Sequence, residues 1–327
     1  MTHPKSILVT GVAGFIASNF VREFHTRYPR TTIVGIDDFS SGRRDIVQRL
    51  RKEVGGKFVF FDDSILNGRR LEAIFKKYKP EYVFHFAAIP RVSYSVEHPR
   101  ETSEVNIIGT IALLEASKEH GVKRFIFSSS SSVYGGAKKL PTKEAENMPN
   151  PQSPYGAQKY AIEPICRVFS RLYGMDTVSL RYFNAFGPWQ YGDSAYSTVV
   201  SAWLEALYFP KHKKAFVEGD GNQSRDFCYV DNIVQANILA MRSKKPFHGE
   251  VFNIAHGERT TVNAVKRLIE KYTGRKLVLE HRPPRKGDVR HTHADISKAR
   301  KWFGYKPTVS FDEGLQRTVA WFESRKE

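Results

Sequence analysis

The chain of 327 residues is poor in cysteine: only Cys166 and Cys228 occur, far apart and inside strand-like or helix-like segments. A disulfide-stapled secreted scaffold is excluded, and a reducing cytoplasm is the expected setting. Also lacking is any uninterrupted apolar run near the ~18 residues that span a bilayer, and the N-terminus enters a strand-like ILVTG without an apolar leader. A soluble, unexported protein with no membrane partner is expected. Acidic residues are outnumbered, 34 Asp and Glu against 51 Lys and Arg, leaving a net charge of +17. Such an excess suits phosphate binding and invites a nucleic-acid hypothesis. The charges are dispersed, however, in short pieces such as Arg49 to Lys52, Lys211 to Lys214 and Arg282 to Lys286, with no RNA-binding or zinc-finger pattern between them. They read as a solvated basic surface that steers anionic substrates, with no nucleic-acid partner.

What is present is a rhythm. At 41% hydrophobic residues the chain can bury a sizeable core. ILVTG leads to a helical FIASNFVREFHTRY, then TIVGIDD, FVFF, a helical RRLEAIFKKY and YVFHFAA. A helix over NIIGTIALLEASKEHG, the strand RFIFSS, a helix from near Pro154 and the strand TVSLRYF follow. Near-continuously apolar strands alternating with amphipathic helices predict an α/β fold with a doubly wound parallel sheet. Beyond Arg181 the pattern loosens, with helical pieces near Val199 to Tyr208, Asn232 to Met241, Val262 to Tyr272 and Gly314 to Glu323. The expected division is a first domain over residues 1–184, to which a segment near 226–256 returns, and a smaller lobe over 185–225 and 257–327 that closes over a cleft.

Thr10-Gly11-Val12-Ala13-Gly14-Phe15-Ile16-Ala17 lies between the first strand and first helix. Glycines at 11 and 14 permit a tight turn and let backbone approach a pyrophosphate resting on the helix N-terminus. The next strand ends in Asp37-Asp38, where a carboxylate accepts from ribose hydroxyls and repels a 2′-phosphate. NAD is therefore the expected cofactor, with Arg43 and Arg44 close enough in sequence to leave NADP open.

Ser153-Pro154-Tyr155-Gly156-Ala157-Gln158-Lys159 reads as the first turns of a helix, so Tyr155 and Lys159 share a face. A phenol must be lowered by ~3 pH units, about 4 kcal/mol, to act as a base near neutrality. Lys159 supplies one positive charge and an oxidised nicotinamide would supply a second. The apolar strand Phe125-Ile126-Phe127 runs directly into Ser128 to Ser132, and strand C-termini are where such sheets bind ligands. These hydroxyls are expected to face the cleft.

Together with HFAAIPRVSYS (85 to 95), VNIIGT (105 to 110), RYFNAFGP (181 to 188), GDGNQSRDFCYVDN (219 to 232) and RKGDVRHTHAD (285 to 295), these pieces resemble the extended short-chain dehydrogenase/reductase superfamily, in its nucleotide-sugar epimerase/dehydratase branch. The resemblance implies a Rossmann domain and a usual homodimer formed through two helices. It implies a catalytic set of Ser130, Tyr155 and Lys159. Around NAD it places Gly11, Ala13, Gly14, Phe15, Ile16, Asp37, Asp38, Asp63, Ala87, Ala88, Asn106, Ser128, Tyr182 and Phe183. On a UDP-sugar it places Ser130, Ser131, Ser132, Asn184 and Gln190, with Arg225 and Arg285 clamping the diphosphate, Asp288 on the uridine ribose and Phe216 near the base. A planar guanidinium fork suits phosphate and a carboxylate suits a diol.

The 4,6-dehydratases of the branch carry Asp and Glu directly after the catalytic hydroxyl; here Ser131 and Ser132 stand there, and neither is a carboxylic acid. The glutamate of its decarboxylases is missing too. A C4-epimerase needs only Ser, Tyr, Lys and NAD. At Thr292, epimerases restricted to glucose and galactose carry a bulky tyrosine, so a small residue there points to UDP-GlcNAc and UDP-GalNAc. UDP-glucuronate 4-epimerases share the serine stretch and remain the alternative, as does, from another class, a non-catalytic nucleotide- or RNA-binding protein suggested by charge alone. His291-x-His293 lacks a third ligand at convincing spacing, so no metal is expected. Cys228 reads as a small core residue and His85 as a satisfied strand-end histidine.

Overall fold

The computed structural model describes residues 3–192, 198–211, 214–283 and 289–325. In chain order its first elements are β1 (Ser6–Thr10), α1 (Phe15–Arg27), β2 (Thr32–Asp37), α2 (Arg44–Val54), β3 (Phe58–Asp62), α3 (Gly68–Tyr78), β4 (Tyr82–His85), α4 (Val92–Glu97), α5 (Pro99–Ser103) and, after a π-turn over Glu104–Gly109, α6 (Thr110–Glu119). Next come β5 (Arg124–Ser130), a 3-10 turn over Ser131–Tyr134, α7 (Pro154–Tyr173), β6 (Asp176–Tyr182), β7 (Ala185–Phe186), α8 (Val199–Tyr208), β8 (Phe216–Glu218), β9 (Ser224–Arg225), β10 (Cys228–Tyr229) and α9 (Val230–Arg242). The chain closes with β11 (Glu250–Ile254), β12 (Thr260–Thr261), α10 (Val262–Thr273), β13 (Glu280–Arg282), α11 (Ser297–Phe303) and α12 (Phe311–Ser324).

Seven strands form one sheet in the order β11-β6-β5-β4-β1-β2-β3, every neighbouring pair parallel. Alternation along each strand sends Ile7, Val9 and Ile33 into one apolar layer and Leu8, Val34, Ile36, Phe125 and Phe127 into the other, so both faces are buried. That is why the strands read as unbroken apolar runs. Each buried Phe, Leu or Ile contributes roughly 1.5–3 kcal/mol relative to exposure. The order reverses beside β1: β2 and β3 lie on one side, β4, β5 and β6 on the other. Ligand crevices of such sheets open at that reversal, at the carboxyl ends of the strands.

The continuous helix expected over NIIGTIALLEASKEHG is instead a π-turn followed by α6. The helix α2 had no counterpart in the sequence rhythm: Ile46, Val47, Leu50 and Val54 form a buried stripe, but the rest of it is polar and includes four Arg and Lys residues. Beyond β6 the chain builds the second layer of α8, α10 and α12 with small two-stranded sheets, one of which pairs β13 with β8. From this region α9 returns against α1, and β11 completes the large sheet beside β6.

Candidate active site

A groove of about 920 Å³ runs across the carboxyl ends of the sheet. Its floor is the glycine-rich turn. Gly11 has φ +68°, and a Cβ there would lie 2.7 Å from the backbone of Ala87, so the loops after β1 and β4 touch where only glycine fits. The Gly11 amide donates to Ile36 O at 2.9 Å and Gly14 N to Gly11 O at 3.0 Å. Asp37 anchors the same turn: its carboxylate accepts from Ala13 N at 2.9 Å and Phe39 N at 2.8 Å. Burial pushes Asp37 up to about 6, against the pull of those two amides. Asp38 is exposed and accepts from Ser40 N. Arg43 and Arg44, the two guanidiniums that could have met a 2′-phosphate, pair with Asp45 at 3.0 Å and Asp62 at 2.9 Å.

At the other end, α7 starts with Ser153 as N-cap, its hydroxyl accepting from Gly156 N, and with Pro154 in its first turn. A Cβ at Gly156 would lie 2.7 Å from Ser132 O, so the helix sits directly on the serine turn. The spare Tyr155 amide donates to Ser95 Oγ of α4 at 3.0 Å. Lys159 Nζ donates to Ser128 O at 2.8 Å and lies 5.9 Å from the Tyr155 ring centre. Ser130 caps the 3-10 turn, accepting from Ser132 N and donating to Ser132 Oγ, both at 3.1 Å. Burial pushes the Tyr155 phenol up to about 12, with the Ser130 hydroxyl acting in the opposite direction. Burial also pulls the Lys159 ammonium down to about 7.

The groove gathers Gly11, Ala13, Gly14, Phe15, Ile16, Asp37, Asp38, Asp63, Ala87, Ala88, Ser128, Ser130, Ser131, Ser132, Tyr155, Lys159, Tyr182, Asn184 and Gln190. Five of the expected residues lie outside that lining. Asn106 is buried, its amide engaged with Ile89 and Gln158, so it shapes the wall from behind. Phe183 is buried under the strand ends. Phe216 lies on β8 beneath the Arg282 guanidinium at 3.9 Å. Arg225 Nη1 donates to the Ser224 and Arg290 carbonyls. Thr292 Oγ1 accepts from Asn184 Nδ2 at 3.0 Å and Asp226 N at 3.1 Å, which makes it a support for Asn184. Arg285 and Asp288 fall outside the described residues.

The lining also includes Arg43, named above for its place in the sequence, and residues that had no assigned role: Ser40 to Gly42, Arg91, and Trp189 with Tyr191. One signal was available. DDFSSG ends in Gly42, where a Cβ would meet Ala13 Cβ and Asp37 Oδ1 at 2.7 Å. His85 bridges Thr10 at 2.7 Å and Thr110 at 2.8 Å, its burial holding it neutral. His291 bonds Ser224 and His293 bonds Gly257 O, and no cluster of three metal-ligating side chains occurs among the described residues. No described helix is long and apolar enough to cross a membrane.

The family profile described as GDP-mannose 4,6 dehydratase matches residues 8–318. The chain belongs to that family. A solved UDP-glucose 4-epimerase with UDP-glucose from Thermotoga maritima is 40% identical, with 98% of this chain and 100% of that chain covered and a TM-score of 0.90. A UDP-N-acetylglucosamine 4-epimerase from Methanobrevibacter ruminantium, in complex with UDP-N-acetylmuramic acid, is 35% identical, with 99% and 100% covered and the same TM-score of 0.90. A UDP-glucuronic acid 4-epimerase from Bacillus cereus, in complex with UDP-glucuronic acid and NAD, is 33% identical over 98% and 99% of the chains, with a TM-score of 0.88. Within the GDP-mannose 4,6-dehydratase family, then, this chain is an extended short-chain dehydrogenase/reductase similar in structure to several 4-epimerases.

The groove fits a dinucleotide. Glycine-only close approach at Gly11, a helix N-terminus at Phe15 and Ile16 with no side-chain cap, and an acidic end at Asp37 and Asp38 are what a pyrophosphate and a ribose without 2′-phosphate require.

Proposed function

We propose that this protein is an NAD-dependent UDP-sugar 4-epimerase whose substrates are UDP-GlcNAc and UDP-GalNAc. One observation carries the reaction type: Ser130, Tyr155 and Lys159 converge on one groove while Ser131 and Ser132 line it where an acid would be needed for loss of water. Bound NAD would supply the acceptor, and afterwards the donor, of the sugar's C4 hydrogen as hydride. Tyr155 Oη takes the proton of the C4 hydroxyl and later gives it back. Lys159, fixed by Ser128 O, favours the phenolate in its protonated form, which burial alone disfavours and a negative charge beside it restores. Ser130 offers a hydroxyl that both orients the sugar oxygen and relays hydrogen bonding to Ser132. Inversion follows when the flat C4 carbonyl presents its other face before hydrogen returns.

The N-acetyl assignment rests on the resemblance, which reads a small residue at position 292 in place of tyrosine; Thr292 itself stands behind Asn184 and buttresses it. UDP-glucuronate is the second reading, favoured by the half-buried Arg91 in the groove lining. Dimerisation fits the apolar surface on the first domain: Val168 and Leu172, one helical turn apart on α7, are 46% and 70% exposed, and Ile108 before α6 is 56% exposed. Two buried free thiols fit work in a reducing cytoplasm.

The test incubates purified protein separately with UDP-GlcNAc and UDP-GalNAc and follows both by NMR. Both should reach one common mixture, and Tyr155→Phe should keep its NAD yet lose turnover by about 10³-fold or more. A common mixture only from UDP-glucuronate and its epimer would overturn the N-acetyl assignment.

A further inference from the structure

At the acidic end of the groove, side chains distant in sequence come together. The segment after β2 folds back on the glycine turn: Arg43 N donates to Ala13 O at 3.1 Å, and Gly42 packs where a Cβ would lie 2.7 Å from Ala13 Cβ and Asp37 Oδ1. Over that segment lies Tyr191, from the connection after β7. Its hydroxyl donates to Asp45 Oδ2 at 2.9 Å, while Arg43 Nε donates to Asp45 Oδ1 at 3.0 Å. The Arg43 guanidinium stacks 4.0 Å from the Tyr191 ring centre, so the three side chains form a closed triangle. On its far side Tyr191 meets the edge of Trp321 at 5.4 Å and the Arg325 guanidinium at 4.6 Å, and Arg325 is tied to the buried Glu205 at 2.7 Å. Tyr191 is thus anchored to α8 and α12 behind and to the start of α2 in front. Tyr191, Arg43, Gly42 and Asp38 all line the groove.

We propose that Tyr191, hydrogen-bonded to Asp45, is a latch that closes the adenosine end of the groove and slows the release of NAD. The latch rests on the function proposed above and on Asp37 and Asp38 marking the ribose end. An epimerase returns to the sugar the hydrogen it removed, so a cofactor lost in mid-cycle would strand a keto sugar; retention is part of the chemistry. The latch sits by the segment after β2, whereas the serine turn and Tyr155 lie by the end of β5, three strands away across the sheet. Burial pushes Asp45 up, but its bonds to Tyr191 and Arg43 outweigh this and hold it below the usual carboxylate range, so the acceptor stays ionised at neutral pH.

The test measures NAD dissociation from the NAD-loaded protein by trapping released NAD with an excess of an alcohol dehydrogenase system. Tyr191→Phe keeps the ring for stacking and removes only the hydroxyl; Asp45→Asn removes the charge. Each should release NAD about tenfold faster, which corresponds to about 1.4 kcal/mol. The double variant should release it no faster than Asp45→Asn alone, because that change already disturbs the bond to Tyr191 as well as the one to Arg43. Arg44→Gln, on the neighbouring surface and paired with Asp62, should leave release unchanged. Release at the wild-type rate from both single variants, or strictly additive effects in the double variant, overturns the latch. A wild-type protein that holds no NAD overturns the proposed function as well, which separates the two failures.

Discussion

Burial acts on Tyr155 and Lys159 in opposite directions and with one result: both are driven towards their neutral forms. The phenol rises to about 12 and the ammonium falls from 10.5 to about 7. In the proposed reaction, further positive charge reaching the site would favour the tyrosinate, which would tie the base to a loaded groove. The same displacement has a consequence for stability. Below pH 7 Lys159 is charged in both folded and unfolded chains, and folding bears the full cost of burying the charge. Between about 7 and 10.5 the unfolded chain holds the proton and the folded one does not, so stability rises with pH across that window. In NAD-free protein, the stability difference between Lys159→Met and wild type, variant minus wild type, should be largest below pH 7 and shrink towards pH 10.5. Urea midpoints at a series of pH values measure it; a difference independent of pH would contradict the burial argument.

At the scale of elements, one face of α7 does three jobs at successive turns. Tyr155 meets the serine turn, Lys159 holds Ser128 O, and Glu163 accepts from Ser129 Oγ at 2.6 Å and from Arg181 of β6 at 2.6 and 2.8 Å. Glu163 and Arg181 have side chains 3% and 5% exposed. Removing one charge of such a pair leaves the other buried and uncompensated. Glu163→Gln should cost on the order of 3 kcal/mol, seen as a lower urea midpoint; an unchanged midpoint would mean that the pair does not hold the helix to the sheet. Much of this element was legible in sequence, because SPYG carries its own cap and proline, and i, i+4 spacing puts Tyr155 and Lys159 together. Glu163 was not, since its partners lie 34 and 18 positions away and no local pattern marks them. The π-turn at Glu104–Gly109 escaped for a related reason: its residues have helical periodicity, and only tertiary packing decides where the register slips. Thr292 is the sharpest difference at the site. Position in a motif suggested a wall of the sugar pocket, whereas its hydroxyl supports Asn184.

At the scale of the molecule, a single parallel sheet fixes which loops meet, and so the sequence rhythm sufficed to bring the glycine turn, the acidic strand end and the serine run to one edge. The substrate half was less legible, because its side chains come from short strands and connections whose pairing, β13 with β8 and β12 with β9, is non-local. The exposed apolar side chains on α7 and before α6 belong to this scale too. Val168→Glu combined with Leu172→Glu should convert a dimer to monomers in sedimentation experiments while leaving the circular dichroism unchanged, since both side chains already face solvent. A wild-type monomer, or a variant that stays dimeric, would contradict that interface.

In the proposed reaction, hydrogen leaves C4 of the sugar and returns to the same carbon from the other side, with no water lost. UDP-GlcNAc carrying deuterium at C4 tests it in one NMR experiment. A mixture of UDP-GlcNAc and UDP-GalNAc with deuterium retained at C4 in both is the expected result. Deuterium washed out into solvent, a 4-keto-6-deoxy product, or no second epimer would contradict it.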